Sequence, residues 1–195
     1  MALAISGCRC QLREVVLKDK PPSMLEFSPK GTVPVLVFAD GTVLEESLEI
    51  MQWALKRNDP QGWLMHQHGT TEQVAALIET SDRDFKHHLD RFKYATRYQG
   101  ADPEHHRGQA ELFIGQLESL LEDRSHLFGH ELSLADVAIG PFVRQFANAD
   151  RSQFLASAYP RVIDWLHRFV TNSVFTGVMT KYPQWHDGDP ITTFG

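Results

Sequence analysis

Residues 29–50, PKGTVPVLVFADGTVLEESLEI, constrain the fold more than any other stretch of the chain. Residues 33–38 are an apolar, β-branched run, with Pro34 near its start, where a strand tolerates a missing N–H. Asp40-Gly41 is a strong signal for a two-residue hairpin turn, and residues 42–44 then return as an antiparallel strand. Glu46 and Ser47 open a helix over residues 48–56. The stretch therefore predicts strand, turn, strand and helix in succession.

The start of that helix carries the clearest binding signal. A helix N-terminus offers unpaired backbone N–H groups and the positive end of a dipole, which suit a carboxylate ligand. The Ser47 hydroxyl adds a donor there, and the Glu46 carboxylate can hold an ammonium group beside it. Together they are predicted to clamp a zwitterionic amino acid. The structural alternative is that Ser47 is only the N-cap and Glu46 only complements the dipole.

In order and spacing, the motifs PKGTVPVL, DGT and ESLEI resemble the N-terminal thioredoxin-like domain of cytosolic glutathione transferases. The resemblance implies that the peptide between Val33 and Pro34 is cis, and that the Val33 backbone pairs with the cysteinyl part of glutathione. It also implies that Glu46 and Ser47 hold the γ-glutamyl amino and carboxylate groups. Lys30 is the implied partner of the glycyl carboxylate.

The remainder of the chain predicts a second, all-helical domain. The expected fold is a thioredoxin-like α/β domain at residues 1–58, incomplete at its N-terminus, a linker at 59–69 and the helical transferase domain at 70–195. Thr70 with Gln73 predicts a capping box at the start of the first long helix. Ser133 with Asp136, in the motif SLADVAIGPF, predicts another, and resembles the capping box of the transferase helical domain.

Composition excludes several classes of partner and location. The formal net charge is −6 and the sequence pI is about 5.9, which argue against a general nucleic-acid surface. No apolar run reaches the length of a membrane span, and no secretory signal is visible. The chain has two cysteines, too few for a disulfide framework, so a cytoplasmic location is expected. Neither nucleic acid nor a membrane is a predicted partner.

Compared with this family, the chain has no counterpart of the first strand or of the loop with the catalytic Cys, Ser or Tyr. That strand would be central to the sheet, and each buried backbone group left without its partner would cost about 1–3 kcal/mol. We therefore expect the sequence to be an N-terminally shortened form of a longer protein. The alternative is that another chain or a rearranged segment fills the gap.

No catalytic residue is predicted in the chain itself. Cys8 and Cys10 follow a predicted helix C-terminus, where the dipole opposes a thiolate, so they are interpreted as structural rather than reactive.

The ten histidines are potential metal ligands. The adjacent pairs His87-His88 and His105-His106 point about 100° apart on a helix and are expected not to converge. No metal site is therefore predicted.

A basic and aromatic stretch at residues 85–98 is a candidate electrophile pocket, with Tyr94 or Arg97 as polar contacts. The favoured alternative is that Phe85, Leu89 and Phe92 belong to the core and the charges are solvated.

The resemblance implies an enzyme that uses glutathione as co-substrate, transferring it to a small electrophile or reducing a mixed disulfide with a thiol substrate. An upstream cysteine would favour thiol transfer, as in omega-like transferases and two-domain glutaredoxins, whereas serine or tyrosine would favour conjugation. A homodimer is also implied. The alternative function is a non-catalytic binding or regulatory protein built on the same fold.

Overall fold

The computed structural model describes all 195 residues and contains ten α-helices, four short strands, one π-helical turn and one 3-10 turn. The helices are α1 Ala2–Ile5, α2 Pro22–Phe27, α3 Ser47–Arg57, α4 Thr71–Thr80, α5 Lys86–Lys93, α6 Pro103–Leu120, α7 Leu134–Ala149, α8 Arg151–Leu155, α9 Pro160–Thr171 and α10 Ser173–Val178. The strands are β1 Cys10–Leu12, β2 Leu36–Val37, β3 Val43–Leu44 and β4 Thr192–Phe194. The π-helical turn Ser81–Phe85 joins α4 to α5, and the 3-10 turn Ala95–Arg97 follows α5. The combination of a small strand-containing N-terminal part and a helical remainder confirms the predicted fold class.

The chain divides into two compact units. The first comprises residues 1–64 together with 173–195, and the second comprises residues 65–172. Residues 173–195 thus belong to the same compact unit as the N-terminal residues, whereas the predicted helical domain at 70–195 includes them. The functional domain limits at 58 and 70 stay a prediction.

The hairpin predicted at residues 33–44 forms in the first unit, but residues 39–41 make a three-residue loop between Phe38 and Thr42, so the prediction of a two-residue turn is wrong. Strands β2 and β3 pair antiparallel, with Leu36 opposite Leu44 and Val37 opposite Val43. Asp40 Oδ1 accepts a hydrogen bond of 2.9 Å from the Thr42 N–H, and Gly41 adopts a φ of +87°, as a tight turn requires.

Strand β1 has an unexpected partner. It pairs antiparallel with the C-terminal strand β4, with Cys10 opposite Phe194 and Leu12 opposite Thr192. It is only three residues long. The two pairs β1–β4 and β2–β3 form separate two-stranded sheets, so a C-terminal segment supplies ladder hydrogen bonds to β1.

Buried carboxylates hold the second unit together. Asp136 is fully buried at the start of α7, and it accepts hydrogen bonds from the backbone N–H groups of Leu127 and Ser133 and from Nε1 of Trp165. Glu118 of α6 accepts hydrogen bonds from the first turn of α9, including one of 2.9 Å from the Val162 N–H. Glu118 therefore satisfies N–H groups of α9 that lack intrahelical partners, and Asp136 satisfies N–H groups of the preceding loop, of the N-cap residue and of an indole ring.

The predicted capping boxes at Thr70–Gln73 and Ser133–Asp136 are both confirmed. The apolar core of this unit is built from α4 to α9. No helix of the structure combines the length and the apolar character needed to cross a lipid bilayer.

Candidate functional site

The predicted binding residues of the first unit lie on the loop before β2 and at the start of α3. Glu46 has extended backbone angles, φ −106° and ψ +136°, and occupies the N-cap position, while Ser47 is the first helical residue. The structural alternative, in which Ser47 is the N-cap, is therefore wrong. The side chain of Glu46 makes no capping hydrogen bond to its helix. Both residues are exposed, so they and the N–H groups of the first turn are accessible to a ligand.

Lys30 and Glu46 form an ion pair in this structure. Lys30 Nζ lies 2.5 Å from Glu46 Oε1, and the two side chains are 54% and 60% exposed. The hydrogen bond to Glu46 and its negative charge raise the pKa of the Lys30 ammonium above its usual value. The resemblance implies that Glu46 binds the γ-glutamyl end of glutathione and Lys30 the glycyl end. The side chain of Lys30 must therefore move away from Glu46 to reach the glycyl carboxylate.

A second acidic residue, Glu45, accepts a hydrogen bond from a buried hydroxyl. The hydroxyl of Ser28, which is fully buried, donates a 2.5 Å hydrogen bond to Glu45 Oε1. The sequence did not predict this contact between Ser28 and Glu45, which are 17 residues apart. With Glu45 held by Ser28, the exposed Glu46 is the carboxylate of this pair that faces an ammonium.

The loop residues Val33 and Pro34 have the backbone geometry that the resemblance implies. Their peptide bond is cis. Val33 is 48% exposed, and Pro34 is also exposed, so the backbone of this loop is accessible to a ligand. Their contact with glutathione stays a prediction.

The two cysteines have the surroundings expected of structural residues. Both are free thiols and half-buried. Burial, and secondarily the neighbouring Cys8, raises the pKa of the Cys10 thiol. A raised pKa opposes thiolate formation and hence nucleophilic attack.

The candidate pocket residues Tyr94 and Arg97 contact each other. The Arg97 guanidinium lies 4.2 Å from the centre of the Tyr94 ring, and Lys93 Nζ lies 4.8 Å from the same ring. Phe85 and Leu89 are each 1% exposed, which confirms their assignment to the core, whereas Phe92 is only half-buried.

Within the second unit, a narrow crevice of about 10 Å³ has room for one water molecule. Its lining includes Phe92, Arg107 and Tyr159 but neither of the two candidates. The role of Tyr94 and Arg97 in binding a substrate stays a prediction.

The histidine pairs do converge, contrary to the expectation from a single helix. His87 and His88 on α5 meet His106 on α6, and one ring nitrogen from each lies within 4.8 Å of the others. His88 Nδ1 and His106 Nδ1 are 2.8 Å apart. Directions on a single helix do not predict this convergence, because it results from the packing of α5 against α6. Burial, and then neighbouring positive groups, lowers the pKa of both His88 and His106.

Comparisons with known proteins place the chain in a family. Residues 1–62 match the glutathione S-transferase N-terminal domain, and residues 86–168 match the glutathione S-transferase C-terminal domain. A maleylacetoacetate isomerase of Pseudomonas aeruginosa is 29% identical over 175 residues, covering 83% of this chain and 80% of the relative.

Solved structures show the same fold. The ternary complex of BphK, a bacterial glutathione S-transferase, superposes with a TM-score of 0.75 at 20% identity, covering 91% of this chain and 90% of that chain. A glutathione transferase family member from Pseudomonas fluorescens, solved with two glutathione molecules bound, gives a TM-score of 0.67 at 17% identity, over 80% and 74% of the two chains. With both domain matches, these findings show that the chain belongs to the cytosolic glutathione S-transferase superfamily and is a glutathione transferase-like protein.

Proposed function

We propose that this chain binds glutathione at the start of α3 and presents its thiol to a second substrate. The observation that carries the proposal is the Lys30–Glu46 ion pair, in which an exposed carboxylate at a helix N-terminus already receives an alkylammonium group at 2.5 Å. The γ-glutamyl end of glutathione carries an ammonium and a carboxylate on one carbon. Glu46 suits the ammonium, and the Ser47 hydroxyl with the first N–H groups of α3 suits the carboxylate.

Binding in this mode exchanges one ion pair for two. The ammonium of glutathione replaces Lys30 Nζ at Glu46, and Lys30 becomes available for the glycyl carboxylate. The exposure of both side chains makes the exchange inexpensive, because water solvates Lys30 while it moves. The backbone of Val33 next to Pro34 pairs with the cysteinyl part, which fixes the thiol relative to the clamp.

The second substrate is a small electrophile that receives glutathione, or a mixed disulfide that is reduced by it. Both reactions need the sulfur as a thiolate held in position, and positioning alone removes a large share of the barrier. The residues of this chain assigned here bind and orient glutathione, and none is assigned to activate the thiol. Tyr94 and Arg97 are proposed contacts for the second substrate.

The proposal is tested by glutathione-dependent turnover. Conjugation to a chlorodinitrobenzene and reduction of a glutathione mixed disulfide are measured for the wild-type chain, for Glu46→Ala and for Glu49→Ala, an exposed acidic residue later in the first turn of α3. We expect Glu46→Ala to raise the KM for glutathione and Glu49→Ala to leave it unchanged. Equal KM values in all three proteins would exclude Glu46 as the ammonium partner. Glutathione binding with no turnover in either assay would favour the non-catalytic alternative.

Isomerisation of maleylacetoacetate is the second activity to assay, because the relative from Pseudomonas aeruginosa carries that name. Glutathione-dependent isomerisation faster than either transfer reaction would assign the chain to this activity.

We also propose a cytoplasmic homodimer, which the family resemblance supports. Light scattering of the purified chain tests the dimer, and cell fractionation tests the location. A monomeric mass, or recovery with a membrane or secreted fraction, would contradict the respective part.

A further inference from the structure

Helices α5 and α6 bring three imidazole rings together at a place that the proposed glutathione site does not use. His87 is exposed, whereas His88 and His106 are half-buried. The ring centres of His88 and His106 lie 5.1 Å apart, and those of His87 and His88 lie 5.0 Å apart. Three imidazole rings this close to one another can supply the nitrogen ligands of a transition-metal site.

The distances between nitrogens are close to those around a bound ion. Zn²⁺ binds imidazole nitrogen at about 2.0–2.1 Å, so two nitrogens of a tetrahedral site are about 3.3 Å apart. The His88 and His106 nitrogens, at 2.8 Å, need to separate only slightly. The third nitrogen lies within 4.8 Å of both and approaches by a side-chain rotation of His87, which its exposure permits.

We propose that His87, His88 and His106 form a binding site for a divalent first-row transition ion, with Zn²⁺ as the representative. Imidazole is a preferred ligand of zinc, copper and nickel, and three such ligands leave a further coordination position for water. An ion held there links α5 to α6 and stabilises the second unit. This proposal does not depend on glutathione binding or turnover.

Charged residues around the cluster both oppose and favour the binding of a cation. The Arg91 guanidinium lies 3.0 Å from His87 Nδ1 and opposes a nearby dication, although it also lies over the ring of Tyr98, at 4.5 Å, and can withdraw in that direction. Asp84 interacts electrostatically with His87 and His88, and Asp102 with His106, and both negative charges favour a nearby dication.

The test is a titration of Zn²⁺ alone into the full chain near neutral pH, in competition with a chromophoric chelator. The variants are His106→Ala and His87→Ala, with His105→Ala as the matched control, since His105 is the exposed neighbour on α6 outside the cluster. We expect one Zn²⁺ per chain and a loss of affinity of at least about tenfold in both cluster variants, with no loss in the control. We expect Arg91→Ala to bind Zn²⁺ more tightly.

Circular dichroism melts of every variant show whether it is folded, and they give a second readout, because an ion bound only by the native state raises the unfolding temperature. If His106→Ala fails to fold, the exposed His87→Ala decides the question. Absence of Zn²⁺ binding to the folded wild-type chain would overturn the proposal. An equal loss of Zn²⁺ affinity in His105→Ala and in the cluster variants would also overturn it. So would weaker Zn²⁺ binding by Arg91→Ala.

Discussion

Asp136 is expected to be the most sensitive polar position of the second unit. Its carboxylate is fully buried and accepts hydrogen bonds of 2.9 Å from the Leu127 N–H, 2.9 Å from the Ser133 N–H and 2.7 Å from Trp165 Nε1. It also accepts one of 2.6 Å from the Ser133 hydroxyl. It thereby joins the loop before α7 and the start of α7 to the middle of α9, which lies 29 residues further along the chain.

The substitution Asp136→Ala leaves three buried N–H donors without an acceptor. Each such donor costs about 1–3 kcal/mol, and neighbouring losses are not fully additive, so we expect the free energy of unfolding to fall by about 3–5 kcal/mol. Because a typical domain has a total stability of about 5–15 kcal/mol, this variant should lose between about a fifth and all of its free energy of unfolding. Asp136→Asn keeps one carbonyl oxygen and should lose less than Asp136→Ala.

The assay is urea denaturation followed by far-ultraviolet circular dichroism, with the fluorescence of the four tryptophans, Trp165 among them, as a second readout. Asp164→Asn is the matched control, since Asp164 is exposed on the same helix as Trp165, and we expect it to leave the unfolding midpoint unchanged. A loss of less than about 1 kcal/mol in Asp136→Ala would refute the assignment of a buried carboxylate that accepts hydrogen bonds from three N–H groups. So would equal losses in Asp136→Ala and Asp164→Asn.

Two further predictions concern a helix contact and the ion pair. A Cβ on Gly140 would lie 2.7 Å from the ring of Phe169, so we expect Gly140→Ala to destabilise the fold by about 1–3 kcal/mol in the same assay. Gly115→Ala, whose Cβ would have its nearest neighbour at 3.8 Å, should instead stabilise α6 by up to about 1 kcal/mol. A change of the same sign in the free energy of unfolding of both variants would contradict the packing of Gly140 against Phe169. Lys30→Ala removes an exposed pair with Glu46, so it should leave the unfolding temperature unchanged while weakening glutathione binding. A lower unfolding temperature would show that the pair is structural.

Local sequence signals predicted the parts of the fold that depend on neighbouring residues. The Asp40-Gly41 turn follows from the φ that glycine permits and from the hydrogen bond of Asp40 to the Thr42 N–H. The two capping boxes follow from the spacing of a hydroxyl residue and an acceptor three positions later. In each case the interacting atoms are within three residues, so the sequence pattern contains the whole interaction.

Contacts between distant residues were not predictable in the same way. The pairing of β1 with β4 joins Cys10 to Phe194, and no signal in either short segment selects the other as its partner. The convergence of His88 with His106 depends on how α5 packs against α6, which periodicity does not specify. For the candidate site, the sequence indicated Lys30 and Glu46 individually, but their mutual ion pair required the three-dimensional arrangement.

The most direct test of the central claim is a calorimetric titration of reduced glutathione into the 195-residue chain, alongside Glu46→Ala and Glu49→Ala. If Glu46 holds the ammonium of glutathione, the wild-type chain and Glu49→Ala bind with the same affinity. Glu46→Ala then binds at least about tenfold more weakly, the size of a lost charge-assisted hydrogen bond. A folded wild-type chain that binds no glutathione, or a Glu46→Ala variant that binds it as tightly as the wild type, would contradict the account.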